Sequence, residues 1–312
     1  MTVLVLNSLL KPLLEPHFPD WVDTRWYTTK AEAMALAPEA EIGWFDLRST
    51  EDMARIFERA TRLKWLNSVY AGVEAFPLDL LAQRGVVLTN GAGINAVPIA
   101  EYVMMLMLAQ AKNYREVVRA QERHEWLKDS PGKRELSGSK ALILGYGAIG
   151  QEVEKRLAAF DVSVSKVRRS PGTGVLGPDE WRARLDEFDW IVIAVPATAE
   201  TEGMIGAAEL AAMRADAVLV NIARGSVIDQ DALTRALDSG TIGGALLDVT
   251  TPEPLPEDHP LWALDNAQIT MHLSGKAQDR MFQRSASRFL ENLERYRAGE
   301  PLVPQVDFGR GY

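Results

Sequence analysis

Arg224, Glu253 and His272 are three residues whose types add up to a chemistry. A guanidinium keeps its charge at any physiological pH, and its planar fork matches a carboxylate. An imidazole exchanges a proton near neutrality. A carboxylate beside the ring fixes its tautomer and favours its protonated form. Holding a carboxylate, moving a proton and steadying the group that moves it are what reduction of a 2-keto acid asks of a protein, once a cofactor brings the hydride. Each residue follows an apolar run that reads as a strand: Ala217–Asn221 before Arg224, Ala245–Val249 before Glu253, Gln268–Met271 before His272. Open α/β sheets bind ligands at those C-terminal strand ends. Alone, Arg224 reads equally as a helix-capping or surface residue and His272 as a structural histidine. The argument lies in the set. His17 and His259 neighbour prolines in loops, and His124 sits in a charged stretch.

A second constellation lies upstream. The strand Lys140–Leu144 runs into Gly145-Tyr146-Gly147-Ala148-Ile149-Gly150, and a helix is predicted from Ile149 to Phe160. Gly145 allows the tight turn, Gly147 lets the backbone approach a pyrophosphate, and Gly150 lets helix and strand pack closely. The helix N-terminus then turns free N–H groups toward the phosphates. The next strand ends in Arg168-Arg169-Ser170, where a carboxylate for a ribose 2′-OH would otherwise stand. A guanidinium there grips a 2′-phosphate, so the pattern favours NADP(H) and leaves NAD(H) open. The bland alternative makes Arg168 and Arg169 solvated surface charges.

These residues need a scaffold, and the chain is long enough to supply one. Its 312 residues are 47% hydrophobic and 25% charged, as in a globular protein. A net charge of -9 argues against nucleic acid or an acidic membrane as partner. With no cysteine, disulfides, thiolate catalysis and cysteine metal sites are excluded. No His pair has ligand spacing, so no metal is expected. The start lacks the basic region and cleavage site of a signal peptide. The apolar stretch Tyr102–Ala109 falls short of the ~20 residues that span a bilayer. The cytoplasm is the expected location.

Two βα series are predicted, each implying a parallel sheet covered on both faces. The first has strands Thr2–Asn7, Ile42–Phe45, Trp65–Val69 and Val86–Thr89, with helices Lys30–Leu36, Thr50–Ala60 and Pro77–Arg84. A long helix, Ile99 to about Ala120, follows with Pro98 in its first turn. The second series adds strands Val162–Val167 and Trp190–Val195, a helical stretch Glu180–Phe188, and helices Glu209–Met213 and Gln230–Ser239, the last closed by Gly240. A final helix, about Asp279–Ala298, and the tail Pro301–Tyr312 are expected to return to the first unit. The fold class is therefore α/β, with two Rossmann-like or flavodoxin-like parallel-sheet domains. The coenzyme domain, 98–278, is inserted into a substrate domain, 1–97 and 279–312.

From about Leu63 onward the chain resembles the D-isomer-specific 2-hydroxyacid dehydrogenase family. The segments that carry the resemblance are Val195-Pro196-Ala197-Thr198-Ala199-Glu200-Thr201, Asn221-Ile222-Ala223-Arg224-Gly225 and the run Ala245–Pro256 (ALLDVTTPEPLP). Arg168-Arg169-Ser170 and the PEPLP segment look most like the NADPH-preferring glyoxylate/hydroxypyruvate reductases. The resemblance implies Arg224, Glu253 and His272 as catalytic residues, a small 2-keto or 2-hydroxy acid as ligand, a D-configured hydroxy acid and a homodimer. It implies that Val195, Pro196, Thr198, Ile222 and Ala223 line the cofactor and that Asp248 receives the nicotinamide carboxamide. It also implies that Ala71 and Gly72, after Tyr70, hold the substrate carboxylate through backbone N–H groups. Tyr70 stands where many relatives have glycine and Met271 where proline commonly precedes the histidine, and both border the substrate. A dinucleotide-sensing corepressor on the same scaffold is the alternative. It needs no acid–base pair.

Overall fold

The computed structural model describes residues 1–47, 49–73, 75–170, 172–276 and 280–309. The chain divides into two compact units, one of residues 1–95 with 277–312 and the other of residues 96–276.

The first unit is built on a five-stranded parallel sheet of β1 (Thr2–Asn7), β2 (Val22–Tyr27), β3 (Ile42–Trp44), β4 (Trp65–Asn67) and β5 (Val87–Thr89), in the order β2-β1-β3-β4-β5. Alternate side chains of each strand enter opposite cores, as the two-residue period of a strand requires. Val5, Leu66 and Leu88 face one core. Leu4, Leu6, Ile42, Trp44 and Trp65 face the other, which the helix Met281–Ala298 completes with Phe289 and Leu293. Phe289 stacks on Trp65 at 4.9 Å between ring centroids, and Tyr296 lies 5.9 Å from the same indole. The tail then runs back along β5, where Val306 N donates to Leu88 O at 2.8 Å. Residues 310–312 of the expected tail, and Asp279 of the expected helix, lie outside the described residues.

The second unit carries β6 (Lys140–Leu144), β7 (Ser163–Val167), β8 (Trp190–Ile193), β9 (Val218–Asn221), β10 (Gly244–Leu247) and β11 (Ala267–Ile269), all parallel, in the order β11-β10-β9-β8-β6-β7. Leu142, Leu144, Ile191, Ile193, Leu219 and Leu247 pack on one face. Ala141, Ile143, Trp190, Val192, Val218 and Val220 pack on the other, against the helix Ala96–Ala111. Strand order reverses between β6 and β8. That makes the crevice above their C-terminal ends the topological switch point where doubly wound sheets bind ligands.

The α/β class with two parallel sheets agrees with the expectation from the alternating pattern. Three local readings differ. β2 was not expected, because it is an edge strand whose outward positions Asp23 and Arg25 form an ion pair at 2.5 Å and blur the apolar period. The single helix from Ile99 to Ala120 is two, Ala96–Ala111 and Tyr114–Glu122, separated by Asn113 in the left-handed region at φ 46°. The backbone of Gly132 packs so closely on that break that a Cβ there would lie 2.2 Å from the Lys112 carbonyl carbon. Glu180–Phe188 narrows to a 3-10 helix, Arg182–Glu187. Among the described residues no helix is long and apolar enough to cross a membrane.

Candidate functional site

The glycine-rich turn leaves β6 at the switch point, and its three glycines differ in what demands them. Gly145 has φ 100°, and a Cβ there would lie 2.5 Å from the Ala194 carbonyl. Its absence of side chain serves the turn and the neighbouring strand end. A Cβ on Gly150 would meet Gly145 O at 2.5 Å, so this glycine seats the helix Ala148–Ala158 on the turn. Gly147 has an ordinary φ of -96°, and a Cβ there would meet no atom within 4 Å. The protein itself gives no reason for glycine at 147. A ligand lying against the backbone does. Gly147 also caps the helix without a side-chain hydrogen bond, which leaves first-turn N–H groups for an anion. The turn therefore fits a dinucleotide pyrophosphate.

Beside it, Tyr146 and Lys166 both hydrogen-bond Glu154, and the Lys166 ammonium lies 4.7 Å from the Tyr146 ring centroid. Desolvation pushes the Glu154 carboxyl up, but the hydrogen bonds from Lys166 and Tyr146 outweigh it and leave it below its usual range. The same carboxylate raises the Tyr146 phenol and the Lys166 ammonium. Lys166 is thus occupied within this cluster.

At the end of β7, Arg168, Arg169 and Ser170 are exposed. The Arg169 guanidinium reaches Glu200 at 3.3 Å, in the segment following β8. That segment is closed by Thr201, whose hydroxyl donates to Pro196 O at 2.7 Å and accepts from Thr198 N at 2.8 Å. Val195 and Thr198 are half-buried and Pro196 exposed, whereas Ile222 and Ala223 are buried in the sheet's two cores.

Arg224 sits three residues beyond β9, half-buried, with backbone φ -145° and ψ 149°. Its loop is shaped by Asn221, fully buried, whose amide oxygen accepts from Ala223 N at 3.0 Å while its amide nitrogen donates to Arg224 O at 3.0 Å. Arg224 Nη1 donates to Ala223 O at 2.8 Å. Gly225 packs against the segment after β10, since a Cβ there would fall 2.1 Å from Thr250 backbone atoms. Gln230 ties the two segments together, accepting from Thr251 N at 2.8 Å and donating to Thr251 O at 2.6 Å. These contacts bring the Arg224 loop against the one that carries Glu253. From the sequence, Asn221 was given no role beyond opening the segment Asn221–Gly225, and Gln230 none beyond starting a helix. A lone polar residue ending the apolar run before Arg224 was the available sign for Asn221.

Glu253 and His272 meet: Glu253 Oε2 lies 2.8 Å from His272 Nδ1. The other carboxylate oxygen accepts from Thr250 N at 3.3 Å. The two side chains remain 38% and 46% exposed, enough for a substrate to reach the ring. Asp248 is 2% exposed, and its carboxylate accepts from Thr270, Leu273 and Ser274 of its own chain. No cluster able to hold a metal ion occurs among the described residues.

Tyr70, Ala71 and Gly72 belong to the first unit, beyond β4. Tyr70 is 46% exposed. Its loop is anchored by Asp46, which accepts from Ser68 Oγ at 2.6 Å, Val69 N at 2.9 Å and Trp44 Nε1 at 2.6 Å. Asn90 Nδ2 donates to Ala71 O at 2.7 Å. Burial pushes the Asp46 carboxyl above its ordinary range despite those donors.

Comparison with known proteins gives a consistent likeness. The family model for the D-isomer specific 2-hydroxyacid dehydrogenase NAD binding domain matches residues 104–274. A glyoxylate/hydroxypyruvate reductase B of Pectobacterium atrosepticum is 35% identical over 73% of this chain and 74% of its own length. A D-3-phosphoglycerate dehydrogenase of Methanocaldococcus jannaschii is 31% identical over 90% of this chain, which spans only 56% of that longer protein. Among solved structures, a D-isomer specific 2-hydroxyacid dehydrogenase of Xanthobacter autotrophicus Py2 in complex with NADPH and MES superimposes with a TM-score of 0.80. It is 30% identical and covers 100% of this chain and 99% of its own.

Proposed function

Since this chain belongs to the D-isomer specific 2-hydroxyacid dehydrogenases, we propose that it reduces a small 2-keto acid of the glyoxylate or hydroxypyruvate kind to the D-2-hydroxy acid. NADPH is the preferred reductant in this reading and NADH the lesser one. The observation that carries it is the contact between His272 Nδ1 and Glu253 at 2.8 Å, beside the loop that carries Arg224. A dinucleotide sensor would not need a proton-transfer pair.

When bound, the nicotinamide supplies a hydride to the carbonyl carbon. Arg224 holds the substrate carboxylate through its fork and polarises the carbonyl. His272 gives the proton on Nε2 to the carbonyl oxygen, so the products are the hydroxy acid and the oxidised dinucleotide. Glu253 accepts from Nδ1 and stabilises the ring while it is charged. The N–H groups at the start of the helix Ala148–Ala158 bind the pyrophosphate.

Two features support the preference for NADPH. No carboxylate follows β7, and the Arg168 side chain is exposed with no hydrogen-bond or ion-pair partner among the described residues. The X. autotrophicus structure, 30% identical, holds NADPH. Glyoxylate and hydroxypyruvate come from the Pectobacterium relative. A homodimer in the cytoplasm completes the proposal.

A steady-state panel tests it: glyoxylate, hydroxypyruvate, its 3-phosphate and larger 2-keto acids, each against NADPH and NADH, with the product resolved by chiral chromatography. Oxidation of NADPH with either small keto acid is expected. Turnover confined to the phosphorylated substrate would replace the substrate assignment, and faster use of NADH would replace the cofactor assignment.

A further inference from the structure

The loop that presents His272 is bent in a way its residues do not favour. Met271 and His272 both lie in the left-handed region, with φ 55° and 57°. A side chain at Cβ crowds the backbone there, so such residues persist only where their surroundings over-determine them. Among the described residues, one neighbour contacts the bend at several points. Asp248, one position past β10, is 2% exposed and offers acceptors to both sides of the bend. Its main-chain oxygen accepts from His272 N at 2.5 Å. Its Oδ1 accepts from Thr270 Oγ1 at 2.8 Å, Leu273 N at 2.9 Å and Ser274 N at 3.2 Å. Its Oδ2 accepts from Ser274 Oγ at 2.5 Å. Ser274 is 4% exposed, so its hydroxyl has this carboxylate in place of water.

We infer that Asp248 and Ser274 are a pair of positioning residues: together they lock residues 270–274 in the left-handed bend that turns His272 Nδ1 onto Glu253 and leaves Nε2 for the substrate. The inference rests on the proposed proton-transfer role of His272. It extends that role to two groups that do not touch the reacting atoms. It also gives the Asp248 carboxylate an occupation inside its own chain. A carboxylate takes all four donors as an acceptor, whereas an amide in its place keeps one acceptor oxygen and turns its N–H groups toward Ser274.

Two substitutions at one position make the test. Ser274→Ala removes the hydroxyl and leaves the carboxylate; Ser274→Thr restores a hydroxyl. The chain has four histidines, so 15N-histidine NMR resolves the His272 ring, assigned with His272→Gln. At alkaline pH the intact protein should show a single tautomer protonated on Nδ1. Ser274→Ala should mix the two tautomers and lower kcat about ten-fold, since small misplacements of a catalytic group can cost up to ~100-fold. Its NADPH affinity, read by fluorescence titration, should stay that of the unaltered protein. Ser274→Thr should recover both signals. An unchanged tautomer and kcat in Ser274→Ala would overturn the inference. A fall in NADPH affinity matching the fall in kcat would overturn it too, in favour of direct ligand binding. The tautomer is read without turnover, so an unaltered protein that reduces no keto acid would refute the proposed function while the positioning role is still tested.

Discussion

At the scale of single residues, His272 and Asp46 make opposite demands on their surroundings. His272 is half-exposed and hydrogen-bonded to a carboxylate that is itself in reach of water. His272→Ala is expected to lower kcat by about 10²–10⁴-fold, the usual contribution of general acid–base catalysis, and to leave NADPH affinity nearly unchanged. An equal loss in a cofactor titration would assign the ring to binding instead. Asp46 is a carboxyl raised by burial, so the folded chain binds a proton there more tightly than the unfolded chain does. The contribution of Asp46 to stability is therefore fully present below the ordinary carboxylate pKa and is lost as pH rises through the window between that value and the raised one. Asp46→Asn keeps an acceptor for Trp44 and Val69 and can donate to Ser68 Oγ. It should flatten that slope in urea titrations run from pH 4 to pH 8, and a slope unchanged by the substitution would assign it to other groups. Much of this scale was legible in the sequence, because residue type and position after an apolar run are both visible there. Arg224, Glu253 and His272 stand at strand ends for that reason. The hydrogen bonds that Asp248 accepts within its own chain were not legible. Its partners are two backbone N–H groups and two hydroxyls on a bend, and no spacing of residue types announces a bend.

Elements were legible where their period is strong and their ends are marked. β6, β8 and β9 are buried on both faces and read as unbroken apolar runs. β2 is half polar, and the break at Asn113 depends on a distant loop packing against Lys112. Neither leaves a local trace. The glycine-rich turn shows how an element can be dissected by asking which of its residues the fold itself requires. Gly145→Ala should destabilise the protein by more than about 1 kcal/mol, since the new Cβ meets positive φ and the Ala194 backbone together. Gly147→Ala should stay within about 0.5 kcal/mol of the parent yet weaken NADPH binding at least ten-fold, through a methyl group placed between backbone and ligand. Denaturant melts and fluorescence titrations separate the two. Weak binding with equal destabilisation at both positions would show that Gly147 is needed for folding after all.

For the molecule as a whole, the second unit is one continuous stretch and the first is assembled from both ends of the chain. The proposed dinucleotide site belongs entirely to the second unit. Added NADPH should therefore slow amide hydrogen exchange in 145–151, 168–170 and 195–201, and leave β1 and β2 at their original rates. Protection centred on the β1–β2 pair would place the cofactor in the wrong unit. The stacking of Phe289 and Tyr296 on Trp65 has a further consequence. Trp65 and the helix that covers it are separated in sequence by the whole of the second unit. One face of the first unit's core is thus closed by two segments that are remote along the polypeptide, and its closure is a long-range event.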